Sequence, residues 1–175
     1  MTWPPWPKLT EVVGLKNARS ARIISRAELA QVRVWHPNAT IGLCNGAFDL
    51  FHVGHLRYLE GAAQMADILV VAVNSDASVQ LSKGPQRPLV PESERLELLS
   101  SLASLDYLHL FQEKSVHDVL KALRPDFHIK GSDYTPETVP EAKLVQELGG
   151  EVRIAGDPKD HATTDVIKKI KETVL

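Results

Sequence analysis

Two histidines, His52 and His55, have only Val53 and Gly54 between them and stand where an apolar run gives way to a helical period. Imidazoles at i and i+3 point to one side of a helix and can donate together to the same phosphoryl oxygens. A helix N-terminus at this point adds unpaired backbone N–H groups and the positive end of the dipole, which favour an anion. Gly54 removes a side chain where a triphosphate would have to lie close. The plainer alternative is a pair of structural histidines capping a helix. Against it, a His-x-Gly-His arises by chance only about 0.016 times in a chain with 7 histidines and 10 glycines. The chemistry these residues suit is the holding and neutralising of phosphate.

Such a constellation needs a scaffold, and the pattern from Thr40 onward supplies a strand–helix alternation. Strands are expected at Thr40–Leu43, Asp67–Asn74, Tyr107–Phe111, Phe127–Lys130 and Glu151–Ala155. Helices are expected near Val53–Met65, Glu92–Ala103, Val116–Leu123, Glu141–Leu148 and Thr164–Val174. The run Ile68–Val73 shows no alternation, the mark of a strand buried on both faces of a parallel sheet. Repeated strand–helix–strand units with right-handed crossovers predict an α/β, Rossmann-like, doubly wound parallel sheet of five strands with helices on both faces. Residues 40–175 would form this domain. Residues 1–39 read as a lead-in, loose to residue 22 around Trp3-Pro4-Pro5-Trp6-Pro7, then a helix over Arg26–Trp35. Ser25 and Glu28 would make a capping box for that helix, and His36-Pro37 would stop it.

Ligands of doubly wound sheets sit beyond the carboxyl ends of the strands at the switch point. The first strand end carries Asn45 to His55, and the others should carry the rest of the site. The second ends in Asn74-Ser75-Asp76, followed by a polar, turn-rich loop from Ser82 to Pro88. This is either a solvated surface loop or, as favoured here, a clamp in which Lys83 and Arg87 hold the β and γ phosphates of a nucleotide. Arg95, on the helix that follows, belongs either to the surface or to the nucleotide. The fourth strand ends in Lys130-Gly131-Ser132-Asp133-Tyr134, an ordinary turn or a seat for a ribose or base. Thr163 and Thr164 would cap the last helix and could serve a triphosphate as well. His109, His117 and His128 have no ligand-like spacing and are left out of the site.

The whole chain sets limits on these readings. Its 175 residues suffice for one well-buried domain. A net charge of −2 gives no basic excess for nucleic acid, and no apolar run approaches the roughly 18 residues that span a membrane. The N-terminus lacks the regions of a signal peptide, and a single cysteine excludes an internal disulfide, so a cytoplasmic setting is expected. Cys44 itself reads as a small core residue.

The stretch Gly46-x-Phe48-Asp49-x-x-His52-x-Gly54-His55 resembles the signature of the nucleotidyltransferase superfamily of cytidylyltransferases and related adenylyltransferases. Taken with Val73-Asn74-Ser75-Asp76, Lys83-Gly-x-x-Arg87-Pro88, Lys130-Gly-x-Asp133-Tyr134, Gly149-Gly150-Glu151 and Thr163-Thr164-x-x-Ile167, the chain resembles the D-glycero-D-manno-heptose 1-phosphate adenylyltransferases over roughly residues 40–170. The resemblance implies transfer of AMP from ATP, with Mg²⁺, to a sugar 1-phosphate, releasing pyrophosphate. It implies His52, His55 and Lys83 as catalytic residues. Asn45, Gly46, Ala47, Phe48, Gly54, Arg87, Gly131, Asp133, Thr163 and Thr164 would bind the nucleotide, and Asp49, Asn74, Asp76 and Lys130 the acceptor, with no metal ligand from the protein. A homodimer is expected on the same ground. The family domain often follows a sugar kinase, so a separate kinase is expected to supply the 1-phosphate. This chain departs from the family at Cys44 and Ala47, where Thr and Cys are common, and at His161-Ala162, where Cys-Ser is usual. These positions bear on the acceptor more than on the reaction. The other readings are a cytidylyltransferase for a polyol or amino-alcohol phosphate and a nucleotide-binding module without turnover.

Overall fold

The structure, a computed structural model, describes residues 21–157 and 163–174. The Trp- and Pro-rich start of the lead-in lies outside the described residues. The elements follow in the order β1 (Arg22–Ile23), α1 (Arg26–Leu29), α2 (Val32–Trp35), β2 (Ile41–Gly46), α3 (Val53–Ala63), β3 (Ile68–Asn74), α4 (Asp76–Lys83), α5 (Glu92–Ser100), β4 (Tyr107–Phe111), α6 (His117–Leu123), β5 (Phe127–Gly131), α7 (Ala142–Glu147), β6 (Glu151–Ala155) and α8 (Thr163–Val174). All strand pairs are parallel, in the order β1-β4-β3-β2-β5-β6.

The sheet has six strands, not the expected five. The extra strand, β1, is two residues long, too short to show a period of two, and it exists because β4 pairs with it. Arg22 N–H donates to Asp106 O at 2.9 Å and Ile24 N–H to Leu108 O at 2.8 Å. Ala21, Ile24, Leu29 and Val32 are buried, so residues 21–39 share the core of the remainder. The helix expected over Arg26–Trp35 is broken in two by a tightened turn, Gln31 N–H donating to Glu28 O. Its capping box is present: Ser25 Oγ accepts from Glu28 N–H, and Glu28 accepts from Ser25 N–H.

Helix α4 is not among the expected helices: it begins at the expected strand end, Asp76, and runs into the first two residues of the expected Ser82–Pro88 loop. Its residues are mostly polar, with Leu81 69% exposed and only Ser78 and Val79 buried, so no apolar stripe announces it. Ser75 starts it by accepting from Ser78 N–H at 3.1 Å. Lys83 therefore stands in the last turn of a helix rather than in a loop.

Alternation along the strands divides the core. Cys44, Val71, Val73 and Ile129 meet Leu59 and Ala62 of α3 and Leu99 of α5 on one face. Leu43, Val70 and Ala72 meet Leu29, Val32, Leu120 and Val145, from α1, α2, α6 and α7, on the other. Each fully buried Leu, Ile or Val among them contributes about 1.5–3 kcal/mol. Burial pushes the Cys44 thiol up to about 12. Thiol reagents at pH 8 are expected to leave native Cys44 untouched and to label it only on unfolding in urea, as mass spectrometry would read. The turn from α7 into β6 needs its glycines: Gly149 has φ +87°, and a Cβ on Gly150 would sit 2.6 Å from Pro125 O.

Candidate active site

β2 runs three residues further than expected, so Asn45 and Gly46 lie on the strand, and the chain then turns sharply. Phe48 and Leu50 both have φ +52°, the left-handed region, which costs a non-glycine residue about 1–2 kcal/mol each. The turn delivers His52 as N-cap of α3, with extended backbone and no side-chain cap on the first N–H groups. Gly54 and His55 follow in the first turn. The imidazoles of His52 and His55 stack with centroids 3.8 Å apart, and His55 is further fixed by the edge-on ring of Phe48 and the stacked ring of Phe51.

Burial first, then His52, then Lys83 push His55 down to about 4, with Asp49 opposing. His55 is therefore neutral at pH 7. An unfolded histidine titrates near 6.5, so between that value and about 4 the unfolded chain binds a proton that the folded chain refuses. Stability rises with pH across this window and falls as pH drops through it. His109 and His128, both lowered chiefly by burial, act in the same direction. The unfolding temperature is expected to fall between pH 7 and pH 5, and to fall less in His55→Gln, as calorimetry would show.

Asp49 is 2% exposed. Its carboxylate accepts from Leu89 N–H at 2.9 Å and Val90 N–H at 3.0 Å, and it pairs with Arg87 Nη2 at 2.5 Å. It thus ties the loop after α4 to the histidine turn, a tertiary role that the expected contact with an acceptor did not include. Arg87 keeps its Nε buried without a hydrogen-bond partner. Lys83 lies at the surface, yet its ammonium is lowered by desolvation first and then by Arg87, with Asp49 opposing. His52, Lys83 and Asp49 are therefore close enough to act on the charge of His55, and Arg87 and Asp49 on that of Lys83.

Arg95, undecided from the sequence, is 1% exposed. Its Nη1 donates to Ala47 O and to Asn74 O, its Nε to Val90 O and its Nη2 to Asp76. One guanidinium so joins the ends of β2 and β3 to the loop before α5. The only trace in the sequence is its place four residues before the buried Leu99. The Asp76 carboxylate serves Arg95, and the Asn74 amide donates to Ser78 Oγ at 2.9 Å. Lys130, at the end of β5, donates to Asn45 Oδ1 at 3.1 Å. Gly131 ends the same strand with open space where a Cβ would stand, and Asp133 lies in the exposed turn beyond it. α8 begins at Thr163, but the side chains of Thr163 and Thr164 lie outside the described residues.

The arrangement suits an anionic ligand: two imidazoles at a helix N-terminus, a lysine and an arginine beside them, and strand ends on either side. Among the described residues, no group of three or more His, Cys, Asp or Glu could hold a metal ion. The profile of the cytidylyltransferase-like family matches residues 43–173, which span the site and most of the chain. The chain belongs to the cytidylyltransferase-like family.

This cytidylyltransferase-like chain is 44% identical over 131 residues to the bifunctional protein HldE of Syntrophotalea carbinolica, covering 75% of the chain and 27% of that protein. It is 40% identical over 158 residues to HldE of Trichlorobacter lovleyi, covering 90% of the chain and 31% of that protein. The chain thus spans under a third of the length of these relatives. Among solved structures it resembles a lipopolysaccharide core biosynthesis protein of Thermoplasma volcanium, with TM-score 0.59 and 28% identity over 70% of this chain and all of that one. It shares the fold of pantothenate synthetase from Thermus thermophilus, with TM-score 0.56 and 21% identity over 81% of this chain and 63% of that one. Among the described residues of this cytidylyltransferase-like protein, no helix is long and apolar enough to cross a membrane.

Proposed function

We propose that the chain transfers AMP from ATP to a sugar 1-phosphate, D-glycero-D-manno-heptose 1-phosphate foremost, giving an ADP-sugar and pyrophosphate. The observation that carries this reading is the stacked His52–His55 pair at the N-terminus of α3, with Lys83 near enough to act on His55 and Arg87 held by Asp49. The HldE relatives and the motifs shared with the heptose branch support the acceptor class.

In this reading an oxygen of the acceptor phosphate attacks the α-phosphorus of ATP. The bond to the oxygen bridging the α and β phosphates breaks, and pyrophosphate leaves with the electron pair. Such transfer depends on position and charge neutralisation, so no covalent nucleophile is required. His52 and His55 donate to the oxygens of the five-coordinate α-phosphate, while Lys83 and Arg87 hold the leaving phosphates. Asn45, Gly46, Ala47, Phe48 and Gly54 shape the floor of the nucleotide site; Gly131 and Asp133 face the nucleoside, and Thr163 and Thr164 the β and γ phosphates. Asn74 and Lys130 are left for the acceptor, whereas Asp49 and Asp76 act by positioning Arg87, the loop and Arg95. Mg²⁺ bound with ATP would neutralise part of the triphosphate charge, alongside Lys83 and Arg87.

Pyrophosphate release with Mg²⁺, ATP or CTP, and a panel of sugar 1-phosphates, glycerol 3-phosphate and phosphoethanolamine tests the assignment. Release with ATP and a heptose 1-phosphate is the expected result. Release only with CTP and an alcohol phosphate would instead establish the cytidylyltransferase reading. A homodimer, proposed on resemblance, would show in light scattering.

A further inference from the structure

β2 and β5 are neighbours, but the chain leaving β2 turns to the α3 face of the sheet and the chain leaving β5 turns to the α7 face. A crevice opens between two such strand ends. Lys130 lies on its floor with its side chain 10% exposed, reaching from β5 to Asn45 on β2. Two residues earlier on the same face, His128 is fully buried. Glu141, just before α7, brings Oε2 to 3.7 Å from His128 Nε2 and 4.0 Å from Lys130 Nζ. The ring of Tyr134 stands 5.0 Å from the same ammonium.

This cluster is a poor means of holding a sheet together. Buried ion pairs contribute little to stability compared with apolar residues of the same size. It is also loosely hydrogen-bonded: no bond of good geometry reaches either ring nitrogen of His128 or Oε2 of Glu141, only longer contacts between the two and with the Leu43 backbone. Under-satisfied buried polar groups call for an explanation other than packing. Their position supplies one, because the only side chain of the three that reaches the crevice floor at Asn45 is the lysine.

We propose that Glu141, backed by His128, is a positioning residue that holds the Lys130 ammonium at the crevice floor to receive the phosphate of the acceptor. The inference rests on the transfer reaction proposed above. There two anions, the acceptor phosphomonoester and the triphosphate, must approach each other, and a fixed cation on the α7 side lowers their repulsion without bonding covalently to either. Charge states agree with this role. Burial lowers Lys130 while Glu141 and Cys44 raise it again; burial raises Glu141, but His128 and Lys130 hold it down at about 2. His128 is kept neutral chiefly by burial.

The test compares the full chain with its Glu141→Gln, Glu141→Asp and Lys130→Met variants. Turnover at saturating Mg-ATP with varied sugar 1-phosphate should show an acceptor KM raised about tenfold or more in E141Q and K130M. The aspartate should recover part of it, and ATP affinity by calorimetry should stay within twofold. An unchanged acceptor KM, or an equal loss of ATP affinity, overturns the proposal. An independent arm follows the Lys130 side-chain signal by NMR. Its titration should move to lower pH in E141Q, and inorganic phosphate should shift it in the wild type but not in E141Q. If wild type releases no pyrophosphate with any sugar 1-phosphate, the reaction assigned above fails, and the NMR arm still decides whether Glu141 poises Lys130 for a phosphate.

Discussion

His55→Ala is expected to lower kcat for pyrophosphate release by about 10²–10³-fold, the cost of removing one preorganised donor from a developing anion. ATP affinity should change by no more than a few-fold, because a donor aimed at the transition state contributes little to ground-state binding. The imidazole is well placed for this task. Phe48 and Phe51 hold its ring against His52, and the two left-handed residues, Phe48 and Leu50, fix the turn that carries it. Its neutrality at pH 7 leaves it a hydrogen-bond donor whose charge develops only as the phosphate charge develops. The stacked pair should behave as a unit, so His52→Ala combined with His55→Ala should cost much less than the product of the single losses. Steady-state assays, with circular dichroism to show that the sheet persists, check the expectation. Full turnover in His55→Ala would remove the histidine pair from the mechanism.

Arg95→Ala should produce the largest loss of stability, about 3–5 kcal/mol, the range for removing one partner of a buried charge network. The side chain is fully buried against an Asp76 carboxylate that is 35% exposed. Its removal leaves the carbonyls of Ala47, Asn74 and Val90 without their donor. Each buried acceptor left unsatisfied costs about 1–3 kcal/mol, and partial access of water keeps the total below their sum. Arg95→Lys keeps the charge but not the planar fork, so it should recover less than half of the loss. Urea unfolding of the three proteins measures this. Because the same guanidinium ties the histidine turn to the loop after α4, kcat should also fall in Arg95→Lys under conditions where it is fully folded. A loss under 1 kcal/mol in Arg95→Ala would show that the network is not what holds these strand ends together.

The contrast between these two residues shows what the chain makes legible by itself. His52 and His55 declare themselves because their spacing, their glycine and the strand-to-helix change around them are all local. The long elements do too: the unbroken apolar run of β3 and the apolar faces of α3 and α6 are periods written within single elements. Together they determined the parallel α/β architecture and the rim at which the site lies. What has no local signature was decided only by the tertiary structure. β1 is a strand because β4 pairs with it, and α4 is a helix because Ser75 caps it beneath Glu113, whose carbonyl accepts from Ser78 Oγ. Asp49, Arg95 and Glu141 acquire their roles from partners roughly 40, 48 and 11 residues away, at Leu89, Ala47 and Lys130. A period or a cap is written in neighbouring residues. The burial of a charge, and the backbone groups that must satisfy it once buried, depend on which distant segments the sheet brings together.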